Sequence, residues 1–183
     1  KDVYMTDASK GVVLRLQMLP ADIIRFGVDG DNDGHVNVKA SSADAILTGA
    51  NFIQHLGWKR GEPWLQEVSL PGNFPWETTG LDQRRNGSEW AGMGVKARQG
   101  SIANVPAALI LPQGRKGPAF LAYRNFDIYL EWNQSFIYTT TAAYLATRLA
   151  GASRYDPGNP DPGLSDAQMR QLQEKLAARG HDV

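Results

Sequence analysis

The chain has 183 residues with 19 basic and 19 acidic side chains, so it carries no formal net charge. That balance leaves no electrostatic footprint for a nucleic-acid backbone, and the length suits one domain of ordinary size, or one domain plus a fragment of another. Cysteine is absent, which excludes disulfides, thiolate zinc sites and a cysteine nucleophile.

No window of 18 apolar residues exists, so no membrane span is expected. The chain opens at Lys1 without methionine or a signal-peptide pattern, as a mature or trimmed product would.

"PADIIRFG", residues 20–27, predicts a short helix with proline in its first turn. Residues 41–57 predict a second helix, capped by Ser41 or Ser42 and stopped by Gly57, with Ile46, Ala50, Ile53 and Leu56 at helical spacing. Between 58 and 118 the chain is rich in Gly, Pro and Trp, and irregular structure with short strands such as "AALIL" at 107–111 is expected. Residues 135–151 predict a third helix, capped by Ser135 and ended by Gly151; packing must override the weak propensity of Thr139, Thr140 and Thr141. Residues 152–163, "ASRYDPGNPDPG", read as a linker with almost nothing to bury. A last amphipathic helix follows, with Ser165 and Gln168 as a capping box, Leu164 and Met169 as a staple, and Gly180 as terminator. Alone it is marginal, so it either docks or opens a second domain.

Between the first two helices lies "VDGDNDGHVN". Crowded carboxylates repel unless something neutralises them. Asp29, Asp31, Asp33, His35 and Asn37 occupy positions 1, 3, 5, 7 and 9 of an EF-hand-type calcium loop, with His35 offering its backbone carbonyl. Gly34 holds position 6, where the turn is sharp. Position 12 is Ala40, which has no side-chain oxygen; Asp44 or a water is left to fill the gap. The plainer alternative is an acidic turn without an ion. A single such loop favours a structural role over sensing.

Residues 17–64 resemble the lytic murein transglycosylase B family, in Gln17, Pro20, the acidic loop, "SADA" at 42–45 and Gly57–Trp58. Residues 125–151 resemble a second family segment through Asn125, Phe126, Asn133, Ser135 and Tyr138, with Trp132 at an aromatic position. The final helix resembles the start of a peptidoglycan-binding domain. The resemblance implies a mostly α (α+β), lysozyme-like transglycosylase domain over 1–151, incomplete on its N-terminal side, a linker at 152–163, and the first helix of a peptidoglycan-binding domain at 164–183. It implies one structural calcium ion and peptidoglycan glycan strands as partner. The location implied is the periplasm, with an outer-membrane lipid anchor ahead of Lys1 left open. It also implies non-hydrolytic cleavage between N-acetylmuramic acid and N-acetylglucosamine. One glutamic acid serves as acid and then base, and the muramyl C6 hydroxyl closes on C1 to give a 1,6-anhydro product, unlike two-carboxylate glycosidases.

The family's glutamate precedes the Gln17 segment, and no Glu lies among the first sixteen residues. It is therefore expected upstream, and no catalytic residue is assigned within the chain. Leu14, Lys39 and Ala40 depart from the family pattern. Substrate contacts are expected from Gln17, Asn133, Ser135 and Tyr138; for Asn133 and Ser135, helix capping alone is an equal alternative. Trp58, Trp64, Trp76 and Trp90 are candidates for sugar stacking or for packing. Two other readings stay open: a non-catalytic wall-binding module and a calcium-dependent adaptor. A domain built to pack against a preceding half leaves apolar surface exposed.

Overall fold

A computed structural model describes residues 18–182; Gln17 and the segment containing Leu14 lie outside the described residues. The first helix, α1 (Pro20–Phe26), carries proline in its first turn, where the missing N–H costs nothing. The acidic loop leads to α2 (Ser42–His55), whose N-cap is Ser41: its hydroxyl accepts the Asp44 N–H.

The apolar residues of α2 do not all face inward. Asp44, Ala45, Thr48 and Gly49 form its buried face, while Ile46 is 69% exposed. Small residues lie on the inner face because the acidic loop presses against it. A Cβ on Gly30 would stand 2.7 Å from the backbone carbonyl of Ala43.

Residues 65–123 are more regular than the sequence suggests. They form a five-stranded antiparallel sheet of β1 (Leu65–Ser69), β2 (Arg84–Asn86), β3 (Lys96–Ala97), β4 (Pro106–Ile110) and β5 (Ala119–Tyr123), in the order β2-β4-β5-β1-β3. A short helix, α3 (Gly87–Gly92), follows β2. Leu109 opposes Leu121, and Leu65 opposes Ala122. Every residue of β5 is buried. Such a strand reads as an unbroken apolar run without alternation, which hid it in the sequence.

One face of the sheet packs Trp90, Phe74, Leu109, Leu121 and Val68. Trp90 is fully buried and donates its indole N–H to the Ala107 carbonyl at 2.9 Å. The other face packs Phe120, Ile110 and Ala122 against Phe126 and Ala143. Those last two belong to α4 (Arg124–Trp132) and α5 (Phe136–Leu149), helices that follow directly from β5. The four threonines of α5 donate their hydroxyls to backbone carbonyls: Thr139 to Asn133 ahead of the helix, and Thr140, Thr141 and Thr147 to Phe136, Ile137 and Ala143 one turn back. Such back-bonding does not repair their weak helix propensity, so packing of the buried Thr139 and Ala143 has to hold the helix.

The segment after α5 buries more than its composition suggests. Tyr155 lies edge-on to Tyr144 with centroids 4.9 Å apart, and it also contacts Phe120. The Asp156 N–H donates to Glu67 at 2.8 Å, Arg98 pairs with Asp156 at 2.8 Å, and the Asn159 N–H donates to the Lys116 carbonyl at 2.8 Å. The stretch is a strap laid across the sheet edge. Beyond it, α6 (Asp166–Ala177) has the expected Ser165–Gln168 capping box and no buried residue. Met169 and Leu172 stay exposed. No helix among the described residues is long and apolar enough to cross a membrane.

Truncating Trp90 to alanine removes a fully buried indole and its hydrogen bond. The expected loss is about 3–5 kcal/mol, read as an earlier midpoint in urea unfolding.

Candidate functional site

The acidic loop is organised by its own backbone. Asp29 accepts the N–H groups of Asp33 at 3.1 Å and Gly34 at 2.9 Å, one on each carboxylate oxygen. Gly34 has φ +92°, a left-handed conformation that favours glycine. Asp44 has no solvent exposure and accepts N–H groups from Gly30 at 2.8 Å and Asn37 at 2.6 Å. Burial pushes the Asp44 carboxyl up, but hydrogen bonds from the Asn37 and Gly30 N–H groups, with those from Ser41 and the Asp31 backbone, together outweigh it and hold the group below its ordinary value. Ser41 donates to Asp31 at 2.6 Å, and Thr48 accepts the Val28 N–H at 3.0 Å.

These bonds draw Asp29, Asp31 and Asp44 together, each offering an oxygen within 4.8 Å of the others. Each carboxylate has about four acceptor sites, so these hydrogen bonds leave capacity for a cation. Three converging carboxylates on an oxygen-rich loop suit a hard divalent ion. Asp33 lies outside the trio, and its Oδ1 accepts the His35 N–H at 2.8 Å. The Asn37 Oδ1 accepts the Ala40 N–H at 3.1 Å. Asp44 supplies, from the first turn of α2, the carboxylate that Ala40 does not. The sequence signal for it was an acidic residue just after the cap of the helix behind the loop.

An aromatic series connects this loop to the second segment. Phe26 of α1 meets Phe52 of α2 at 5.1 Å, and Phe52 meets Trp132 edge-on at 5.5 Å. Asn133 follows at once, and it brings together the three described substrate candidates. Its Oδ1 accepts the Ser135 N–H at 3.0 Å, and the Ser135 hydroxyl accepts the Tyr138 N–H at 3.3 Å. Capping therefore occupies one acceptor of Asn133 and of Ser135. Tyr138 is half exposed and Ile137 is 79% exposed.

The four clustered tryptophans divide by environment. Trp90 is core, and Trp76 packs on Phe74 with Arg115 over its ring. Trp58 and Trp64 stand together at the mouth of a hollow on the other side of the turn before β1. No glutamate among the described residues is buried. Glu67 accepts the Asp156 N–H, and Glu89 caps α3 through the Asn86 N–H.

The comparisons with known proteins place this α+β body among lysozyme-like transglycosylase domains. The transglycosylase SLT domain family matches residues 8–147, and the chain belongs to that family. It is similar to SltB3 from Pseudomonas aeruginosa in complex with NAG-NAM-pentapeptide: 38% identity, TM-score 0.79, covering 91% of this chain and 46% of that one. It is also similar to Slt35 from Escherichia coli in complex with bulgecin A, with 25% identity, TM-score 0.60, and coverage of 73% and 42%. Slt35 in complex with calcium gives 25% identity and TM-score 0.59 over the same shares. The chain thus spans less than half the length of these relatives. No curated protein sequence matches it.

Replacing Asp44 by alanine strands two N–H groups. The expected cost is about 1–3 kcal/mol for each, seen as a lower Tm. A carboxyl held below its ordinary value contributes stability that is present above the unfolded value near ~3.9 and is lost as pH falls through the lower folded value. In Asp44→Asn, the fall in Tm on acidification below about pH 4 should be shallower than in the parent.

Proposed function

We propose that the chain is the sugar-facing portion of a peptidoglycan lytic transglycosylase that cleaves the MurNAc–GlcNAc bond without water and leaves 1,6-anhydromuramyl ends. The carrying observation is the 38% identity over 91% of the chain to SltB3, a protein solved with NAG-NAM-pentapeptide and also with NAG-anhNAM-pentapeptide. In this reading Tyr138 presents a half-exposed ring to the glycan. Asn133, held by the Ser135 N–H on its Oδ1, directs its amide nitrogen to an N-acetyl or hydroxyl group. Gln17 is the fourth substrate contact that the family resemblance implies. The proton-donating carboxyl is assigned to none of the described glutamates, because none is buried. The function places the protein in the periplasm, where its substrate lies, and makes α6 the first helix of a glycan-binding appendage.

Asp29, Asp31 and Asp44 hold a calcium ion in this reading. When bound, it neutralises the trio and locks the loop. The supports are the convergence of the three carboxylates and the calcium complex of Slt35. The ion's role is structural: the loop fixes α1 against α2, and through Phe52 fixes the position of Trp132 and the turn after it.

One observation favours a second reading, a wall-binding module that does not cut: the absence of a buried glutamate among the described residues. Purified sacculi incubated with the longest protein the gene encodes separate the two. Anhydro-muropeptides in the supernatant are expected; sedimentation with sacculi and no anhydro product would establish the binding module instead.

Calcium at about a hundred times its Kd should stabilise the fold by about 2.7 kcal/mol, so chelator should lower Tm in a scanning melt. The effect should vanish in Asp31→Asn combined with Asp29→Asn.

A further inference from the structure

A hollow of about 430 Å³ opens between the turn preceding β1 and residues 101–103, remote in sequence from the Asn133 turn; Trp58, Glu62, Trp64, Gln66 and Ser101 line it. Its walls are fixed. The buried Asn125 side chain grips the turn: its Oδ1 accepts the Lys59 N–H at 2.9 Å, and its Nδ2 donates to the carbonyls of Lys59 and Glu62, both at 2.9 Å. Trp64 donates its indole N–H to the Ala143 carbonyl at 3.1 Å and to Thr147 at 2.9 Å. Gln66 accepts the Tyr123 hydroxyl at 2.6 Å and donates to the Ser101 carbonyl at 3.0 Å. Burial holds that phenol protonated, with its pKa pushed up to about 12.

Two polar groups on residues that line the hollow are not used in this way. Among the described residues, neither the Glu62 carboxylate nor the Trp58 indole N–H has a hydrogen-bond or ion-pair partner. The Trp58 ring stands edge-on to Tyr129 at 5.5 Å and tilted 32° from Trp64 at 6.0 Å, with both indoles only partly buried. A pre-formed pocket with apolar walls and a few open polar groups is the usual form of a small-ligand site.

We propose that this hollow is a second saccharide subsite, which seats one N-acetylhexosamine ring of a glycan strand away from the Asn133–Tyr138 turn. The apolar C–H face of a pyranose packs on the indoles, and its hydroxyls donate to Glu62 and accept from Trp58. A lone ammonium would use the carboxylate and ring faces but leave most of the volume empty. The inference rests on the glycan-binding reading above and deepens it: a strand held at two points is retained longer than one held at a single point.

The test uses the full chain labelled with ¹⁵N and titrated with N-acetylchitotetraose, with the five tryptophan indole N–H signals as reporters. Trp58→Phe, which keeps the packing on Tyr129, assigns one of them. The Trp58 and Trp64 signals should move on titration. Glu62→Gln, at a partly exposed position, should weaken that response about tenfold, the effect of losing a hydrogen bond to a charged group. Movement of the Trp132 signal alone would overturn the second subsite while leaving glycan binding at the helical turn intact. An unchanged affinity in Glu62→Gln would also overturn it, as would displacement of the sugar by a lysine-containing peptide. A chain that binds no chitotetraose refutes the subsite, and the sacculus assay then judges the cleavage reading separately.

Discussion

Asp44 has no contact with solvent, yet hydrogen bonds hold its carboxyl below its ordinary value, and the acidic loop is arranged around it. Its two oxygens take the N–H groups of Gly30 and Asn37, which lie at opposite ends of the loop, and its own N–H is capped by Ser41. Those bonds draw the loop onto the first turn of α2. The near contact of Gly30 with Ala43, and the small residues on the inner face of α2, follow from that closeness. A carboxylate can be buried here because backbone N–H groups replace its lost water.

From there the positioning passes through aromatic rings. Phe26 and Phe52 lock α1 to α2, and Phe52 meets Trp132 at the end of α4. The turn carrying Asn133 and Ser135 therefore inherits its position from the loop. On the other side, α4 is anchored by Asn125, whose amide is spent on the turn between Lys59 and Glu62. One helix thus registers the Asn133 turn and the hollow at Trp58 and Trp64 against each other.

The helices with caps were legible in the sequence. Ser41, Ser135 and Ser165 each cap the helix that follows them, because capping is a local bond between residues three apart. Which face of α2 turned inward was not legible. Ile46 has the right spacing for a core position and is exposed, because the loop, itself distant in hydrogen-bonding pattern from any helix rule, occupies the inner side. Of the sheet, the apolar run at 107–111 foretold β4, whereas β5, every residue of it buried, shows no alternation and was not read as a strand. The calcium spacing pointed to Asp29 and Asp31 directly. For the third carboxylate the sequence left Asp44 or a water open, and the fold brings Asp44, four residues past the last loop position, to Asp29 and Asp31. Gln17 lies outside the described residues.

The strap after α5 also limits what lies beyond it. Its last backbone anchor is the Asn159 N–H on Lys116, and α6 begins at Asp166. Seven residues, fully stretched, reach about 25 Å. Whatever α6 touches must therefore lie within a short radius of the sheet edge. Inside that radius the short connection presents the helix to the sheet edge at a high local concentration.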